Sequence, residues 1–214
     1  GQTRSLGGKT VRSVLKDRQG FIWVGLYNDG LDRIHPETGQ ISHFKQLSEN
    51  HQSICSNYIT SLLMDRQNRL WVGSHDNGLC FTDQAYNSKP EFQLPPFLNT
   101  HEEIYQIQED SYGRIWFGTR SGLGVFDYQS DTFQWVLTGY NVQSFVIDDP
   151  TIWIASWNSG LCKLSFTDQQ FSSGILVYDS ISSVLSGGPQ NSISIYREEN
   201  GMIWLGTDDR GLVR

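Results

Sequence analysis

The sequence is poor in the features that make helices, membrane spans and metal sites. No segment keeps a helical apolar period over four turns, and no window of about 18 residues is continuously apolar, so nothing in it is expected to cross a membrane as a helix. The opening GQTRSLGGKT lacks the basic-then-apolar build of a signal peptide, which places any export signal outside these residues. Basic residues are scattered, and 16 Lys and Arg stand against 23 Asp and Glu for a net charge of −7. Without a basic stripe to neutralise phosphates, a nucleic-acid partner is not expected. The five histidines, His35, His43, His51, His75 and His101, show no metal-ligand spacing and no paired cysteine ligands. No Gly-x-Ser-x-Gly elbow or phosphate-cradling glycine loop occurs. Neither a metal, a cofactor nor a catalytic residue is therefore expected.

What the chain does contain is one string, repeated. It reads IWVGLYNDGL (22–31), LWVGSHDNGL (70–79), IWFGTRSGL (115–123), IWIASWNSGL (152–161) and IWLGTDDRGL (203–212). The tryptophans Trp23, Trp71, Trp116, Trp153 and Trp204 are spaced 48, 45, 37 and 51 residues apart. Their mean of about 45 is the period of a four-stranded propeller blade. An apolar alternating run precedes each motif: Val11 to Lys16, Ile59 to Met64, Ile104 to Glu109, Val142 to Ile147 and Ile193 to Arg197. An acid follows each run, at Asp17, Asp65, Asp110, Asp148 and Glu198. Three residues later stands Gly20, Gly113 or Gly201, with Asn68 in the second unit. A carboxylate that bonds turn amides, followed by a residue tolerant of positive φ, is hairpin chemistry, so run and motif are predicted to pair antiparallel. In the fourth unit Asp149-Pro150 closes a shorter turn.

Residues on both sides of each Trp are apolar, so that strand must be covered on both faces, as the interior strand of a blade between neighbours is. Third strands are predicted at Leu79 to Thr82 and Leu161 to Ser165. Fourth ones follow at Ile41 to Lys45, Phe133 to Leu137 and Ile175 to Tyr178, with a short one near Phe92. The predicted fold is all-β: a propeller segment of about five four-stranded blades, with units at roughly 11–57, 58–102, 103–140, 141–190 and 191–214. The five tryptophans are its expected repeat core. Because the chain begins on a connection and stops within the third strand of its fifth unit, it is expected to be part of a larger array, seven blades at this period. Cys80 and Cys162 occupy equivalent positions two units apart, beyond the ~7 Å Cα reach of a disulfide. With Cys55 on a connection, all three are expected as packing residues or free thiols.

The pattern of apolar strand, Asp, Gly-containing turn, apolar-Trp-apolar-Gly-Thr and Gly-Leu resembles the two-component regulator propeller repeat. The likeness is close at ITSLLMDRQNRLWVGSHDNGL (59–79) and IYQIQEDSYGRIWFGTRSGL (104–123), and NHQSICSNYITSLL (50–63) is similar to that family's linker into its innermost strand. Ala155-Ser156 in the fourth unit and Leu26 in the first depart from Gly-Thr. The resemblance implies a periplasmic sensor region of a bacterial hybrid two-component system or a related inner-membrane sensor protein. Such a segment binds a small polar ligand, typically an oligosaccharide, and signals through other domains of the same polypeptide. A kinase or cyclase output would lie elsewhere in the protein, and the segment itself does not insert into the membrane. A homodimer is left open. The alternatives are a protein-interaction scaffold and a propeller lyase or hydrolase.

In a propeller the turns between second and third strands gather on one face around the channel. Here they carry the candidate ligand contacts: Tyr27, Asn28 and Asp29; His75, Asp76 and Asn77; Arg120; Trp157 and Asn158; Asp208, Asp209 and Arg210. Amides, carboxylates, guanidinium groups and aromatic rings suit sugar hydroxyls and ring faces. Asn and Asp in tight turns also serve the backbone alone, so Tyr27, His75, Arg120, Trp157 and Arg210 are the more telling members. His75-Asp76 is the one pair suited to acid–base work. Asp29, Asp76 and Asp209 are weighed as cation ligands. Two long connections, 83–103 with Pro95-Pro96 and 179–192 with Gly187-Gly188-Pro189, are further places for recognition.

Overall fold

A computed structural model describes residues 5–47, 49–50, 52–87, 89–95, 102–157, 159–165, 177–179 and 191–214. Among these every regular element is a β-strand. The strands are β1 (Val11–Lys16), β2 (Ile22–Leu26), β3 (Gly30–Ile34), β4 (Ile41–Phe44), β5 (Ile59–Met64), β6 (Leu70–Ser74), β7 (Leu79–Thr82), β8 (Ile104–Glu109) and β9 (Ile115–Thr119). They continue as β10 (Gly122–Asp127), β11 (Thr132–Thr138), β12 (Asn141–Asp148), β13 (Thr151–Trp157), β14 (Gly160–Ser165), β15 (Val177–Asp179), β16 (Ser192–Arg197), β17 (Ile203–Thr207) and β18 (Gly211–Val213). Five antiparallel, blade-like sheets result, ordered β1-β2-β3-β4, β5-β6-β7, β11-β10-β9-β8, β12-β13-β14-β15 and β16-β17-β18. The chain divides into two compact units, Gly1–Glu109 and Asp110–Arg214, at the turn between β8 and β9.

The turn acids do more than close hairpins. Oδ1 of Asp17 accepts the amides of Gln19 and Phe21 at 2.9 and 3.0 Å, and Oδ1 of Asp65 and of Asp110 accepts the amides two and four residues on at 2.8 to 2.9 Å. The second oxygen of each accepts the indole N–H of the Trp six residues on, at 2.9 Å for Trp23 and 2.8 Å for Trp71 and Trp116. The indole's polar edge is thereby satisfied inside the sheet, and Trp23, Trp71 and Trp116 are 0% exposed. Positive φ at Gly20, Asn68 and Gly113, of 88°, 62° and 83°, completes the turn.

Among the described residues the five rings are not buried alike. In the fourth sheet the ladder runs on to Asp148↔Thr151 and the turn contracts to Asp149-Pro150, joined by a cis peptide bond. Asp148 is thus a strand residue, and it pairs with Arg197 at 2.9 Å. Trp153 stays half-buried, with Lys163 Nζ 5.2 Å from its centroid. In the fifth sheet Trp204 donates to Glu198 at 2.6 Å and is also half-buried, with the Arg214 guanidinium 5.8 Å from its ring.

The glycine after each Trp-apolar pair has a steric reason. A Cβ on Gly25 would lie 2.7 Å from Ile59 Cγ2, one on Gly73 2.7 Å from Ile104 Cγ2, and one on Gly118 2.7 Å from the carbonyl of Val142. The following inner strand rests on bare backbone at each of these points. Opposite the small residue a β-bulge recurs at the start of the inner strand, between Val11 and Ser13, Ile59 and Ser61, Val142 and Ser144, and Ser192 and Ser194. It sets a serine against Gly25, Gly73, Ala155 and Gly206. The Ser61 hydroxyl accepts the amide of Ile107 at 3.1 Å, and that of Ser144 accepts the amide of Ile195 at 3.4 Å, so the bulge serine supplies a polar link to the next sheet.

Two further expectations change. Among the described residues the second sheet has three strands: near Phe92 only an isolated Phe81↔Gln93 bridge forms, because Pro90 and Pro95 bracket the segment and lack ladder donors. Cys55 and Cys80, expected as free thiols, form a disulfide with Cα atoms 5.8 Å apart. The connection after β4 folds back over its neighbouring sheet, placing Cys55 against the strand that carries Cys80; Cys162 lies outside the disulfide and is buried. The two units have separate cores, the first around Trp23, Leu31, Ile59, Leu70 and Val72, the second around Trp116, Phe145, Ile152 and Ile154.

Candidate functional site

The antiparallel ladders bring the start of each inner strand beside the turn between the second and third strands. In the first unit Tyr27 N donates to Thr10 O and His75 N to Tyr58 O, both at 2.9 Å; in the second unit Asp208 N donates to Asn191 O at 3.1 Å. The residue just before each inner strand therefore lies alongside the turn's first residue.

In the first unit this places several reactive and aromatic groups together. Tyr27 meets Tyr58 edge-on with centroids 5.3 Å apart and lies 6.1 Å from the His75 ring. The Arg12 guanidinium stands 5.0 Å over the face of Tyr27. Nδ1 of His75 is 2.6 Å from Oε1 of Glu103, and the Tyr105 hydroxyl donates to Oε2 of the same carboxylate at 2.9 Å. The imidazole is thus oriented by a carboxylate that a phenol holds in turn. His75 and Arg12 are exposed, the two tyrosines and Glu103 partly buried. Chemically the cluster offers the phenolic hydroxyls of Tyr27 and Tyr58, a guanidinium, an imidazole and partly exposed aromatic rings.

The turn candidates divide. Tyr27 and His75 join the cluster, whereas Asn28 has φ 79° and serves the turn itself. Asp29 pairs with Lys45 at 3.4 Å and crowds the Gly8 backbone. Asp76 is not the partner of His75: it accepts the Ser56 hydroxyl at 2.5 Å, while Glu103 takes the imidazole. Asn77 turns inward and donates to the Cys55 carbonyl at 2.6 Å. In the second unit Arg120 is exposed, Trp157 bridges Asn191, and Asp209 pairs with Arg210 at 3.6 Å. Asp208 is held by the amide bond to Asn191 given above. Asn158 lies outside the described residues, as do Pro96 and residues 180–190 with Gly187-Gly188-Pro189. No group of His, Cys, Asp and Glu suited to a metal occurs among the described residues.

Arg12, Tyr58, Glu103 and Tyr105 are absent from a reading of the turns alone. The signal that marks Tyr58 and Glu103 is positional: each stands immediately before a predicted inner strand, where the ladder brings it beside a turn.

The two-component regulator propeller family matches residues 5–28, 53–76 and 100–121. No curated protein sequence matches the chain significantly. Among solved structures, the extracellular domain of BT4673 from B. thetaiotaomicron, described as a proposed hybrid two-component system, superposes with a TM-score of 0.73 at 19% identity, over 96% of this chain and 27% of its own. PorZ of Porphyromonas gingivalis, a surface component of the type-IX secretion system, gives a TM-score of 0.71 at 16% identity, covering 98% of this chain and 32% of PorZ. Virginiamycin B lyase from Staphylococcus aureus gives 0.62 at 12% identity, over 95% of this chain and 69% of the lyase. Identities this low establish shared architecture alone, and the chain spans about a third or less of BT4673 and PorZ. With its five blade-like sheets and recurrent Trp motif, the chain is a β-propeller segment, and three of its units match two-component regulator propeller repeats.

Proposed function

We propose that this chain is the ligand-reading part of an extracytoplasmic sensor of the bacterial two-component type, binding a polar ligand of oligosaccharide character at the Tyr27–Tyr58–His75 cluster. The observation that carries the reading is that cluster: aromatic faces and a guanidinium set beside a carboxylate-anchored imidazole, on turns held by rigid sheets. A sugar ring stacks on aromatic carbon while its hydroxyls bond to planar charged groups. The disulfide supports residence in an oxidising compartment such as the periplasm. Arg120, Trp157, Asp208, Asp209 and Arg210 offer related chemistry in the second unit. The site binds without turnover, and the signal passes to other domains of a longer polypeptide.

The test is calorimetric titration and thermal melting with a panel of neutral and acidic oligosaccharides, with products followed in parallel. At least one member should raise the melting temperature without being cleaved. Tyr27→Ala and Tyr58→Ala should each weaken that binding about tenfold while leaving the melting temperature of the free protein nearly unchanged, since both rings are partly exposed. A panel without any binder sinks the proposal. Cleavage of a member would favour the lyase or hydrolase alternative, with His75 and Glu103 as the acid–base pair.

A further inference from the structure

A second concavity of the first unit lies away from the tyrosine cluster. It has a volume of about 610 Å³ and is bounded by β4, the connection at 45–54 and the segment 89–92. Its lining includes Arg33, His43, Lys45 and Lys89 and, among the described residues, no carboxylate, in a chain whose net charge is −7. Phe44, Leu47, Ile54, Pro90 and Phe92 form its apolar wall.

The walls are tied to one another before any ligand arrives. Leu47 N donates to Ser53 Oγ at 2.9 Å, Ser53 N to Asn50 O at 3.0 Å, and Phe92 N to Gln52 O at 2.8 Å. The disulfide at Cys55 anchors the connection next to Ile54. Arg33 is 8% exposed, with Nη1 donating to the carbonyls of Ala85 and Asn87 at 2.5 and 2.9 Å. Its guanidinium stands 5.4 Å from each of the Phe21, Trp23 and Phe44 rings. Burial draws its pKa below the ordinary arginine value, against the opposing pull of Asp17, so an added anion would relieve a desolvated cation.

Of the carboxylates around the cleft three have partners, and Glu49, in the same connection, is exposed. Asp32, fully buried, takes His43 Nδ1 at 2.6 Å and the Gly7 amide at 2.7 Å. Asp29 lies 3.4 Å from Lys45, and Glu91 at the rim accepts Gln52 Nε2 at 3.0 Å. Lys89 is exposed and has no ion pair among the described residues. A bare, strongly hydrated ion would leave the apolar wall uncovered, and the volume is that of an organic ligand.

We propose that this cleft binds an organic carboxylate with an apolar face, of the size of an acidic disaccharide, with Lys45 and Lys89 meeting the anion and the Phe44–Pro90 wall covering its carbon face. The proposal is independent of the tyrosine cluster. It is tested by titrating the chain with digalacturonate, its neutral counterpart digalactose, and sodium phosphate, each at low and high salt. Digalacturonate should bind, more weakly as salt rises, and the Lys45→Gln/Lys89→Gln double variant should lose about tenfold or more in affinity. Glu91→Gln should tighten binding, and the double lysine variant should keep whatever neutral-oligosaccharide binding the parent shows, which separates this site from the cluster. No binding of digalacturonate overturns the proposal. So does equal binding of digalactose or phosphate, or a double variant that binds as the parent does.

Discussion

Asp65 shows how one side chain can close a turn, seat an aromatic ring and neutralise a buried cation together. It is 0% exposed, and its two oxygens take the Gln67 and Arg69 amides, Arg69 Nε at 2.5 Å and the Trp71 indole at 2.8 Å. Removing it leaves a 5%-exposed guanidinium and an indole N–H without their acceptor. Asp65→Ala should therefore cost about 3–5 kcal/mol of unfolding free energy, read as a lower urea midpoint. Asp65→Asn keeps one acceptor oxygen but sets an NH2 donor against either the turn amides or the Arg69 Nε and Trp71 N–H groups, so it too should lower the urea midpoint. Glu109 is the opposite case. Its Oε2 accepts the Arg66 amide at 2.9 Å, but Oε1 is buried without a partner, and burial raises its pKa above the usual carboxylate value. The folded form then holds this proton more tightly than the unfolded chain does. Stability associated with the group is present below the ordinary glutamate pKa and lost as pH rises through the raised one. Glu109→Gln should accordingly be more stable than the parent at pH 7, with the gain fading as pH falls through the carboxylate range. Equal urea midpoints at pH 7 would count against this account. The acids were legible in the sequence as turn formers. Their bonds to the indoles were not, because those depend on how the hairpin register brings positions six apart onto one side.

At the scale of elements, the apolar runs Val11–Lys16, Ile59–Met64 and Ile104–Glu109 were readable to the residue, since alternation and a following Asp turn mark both ends of a strand. The bulges were not, because a bulge is a mismatch between two strands and leaves no trace in either one. The disulfide was hidden for a related reason: Cys55 and Cys80 sit 25 residues apart, and the repeat period invites comparison of Cys80 with Cys162. Closing a loop of this length stabilises by about 3–4 kcal/mol in the chain-entropy account. Cys55→Ser/Cys80→Ser should lose about that much, and thiol titration of the unfolded, unreduced chain should count one thiol, Cys162. Three thiols would remove both the bond and its support for an oxidising compartment.

For the whole molecule, sensing asks more than binding. A ligand shifts an equilibrium only by its difference in affinity for two arrangements, so the binding proposed at the Tyr27 cluster would not by itself make a sensor. The chain covers 27% of the solved extracellular domain of BT4673 and 32% of the PorZ chain. The candidate site was half legible. Tyr27 and His75 stood out because neither is a turn former, whereas Arg12 and Tyr105 lie on strands and gave no such signal. The pairing of His75 with Asp76 was a neighbour's inference, corrected by Glu103, which stands just before the next inner strand.

The sequence alone determined the sheet class, the repeat and most strand limits, because these follow from local periodicity, turn stereochemistry and a spacing that recurs. Only the tertiary structure decided which thiols join, which two of five tryptophans remain half-exposed, and which carboxylate faces His75. Each of those depends on where one sheet lies against the next, a distance set by bare glycines and bulges rather than by any residue's own preference.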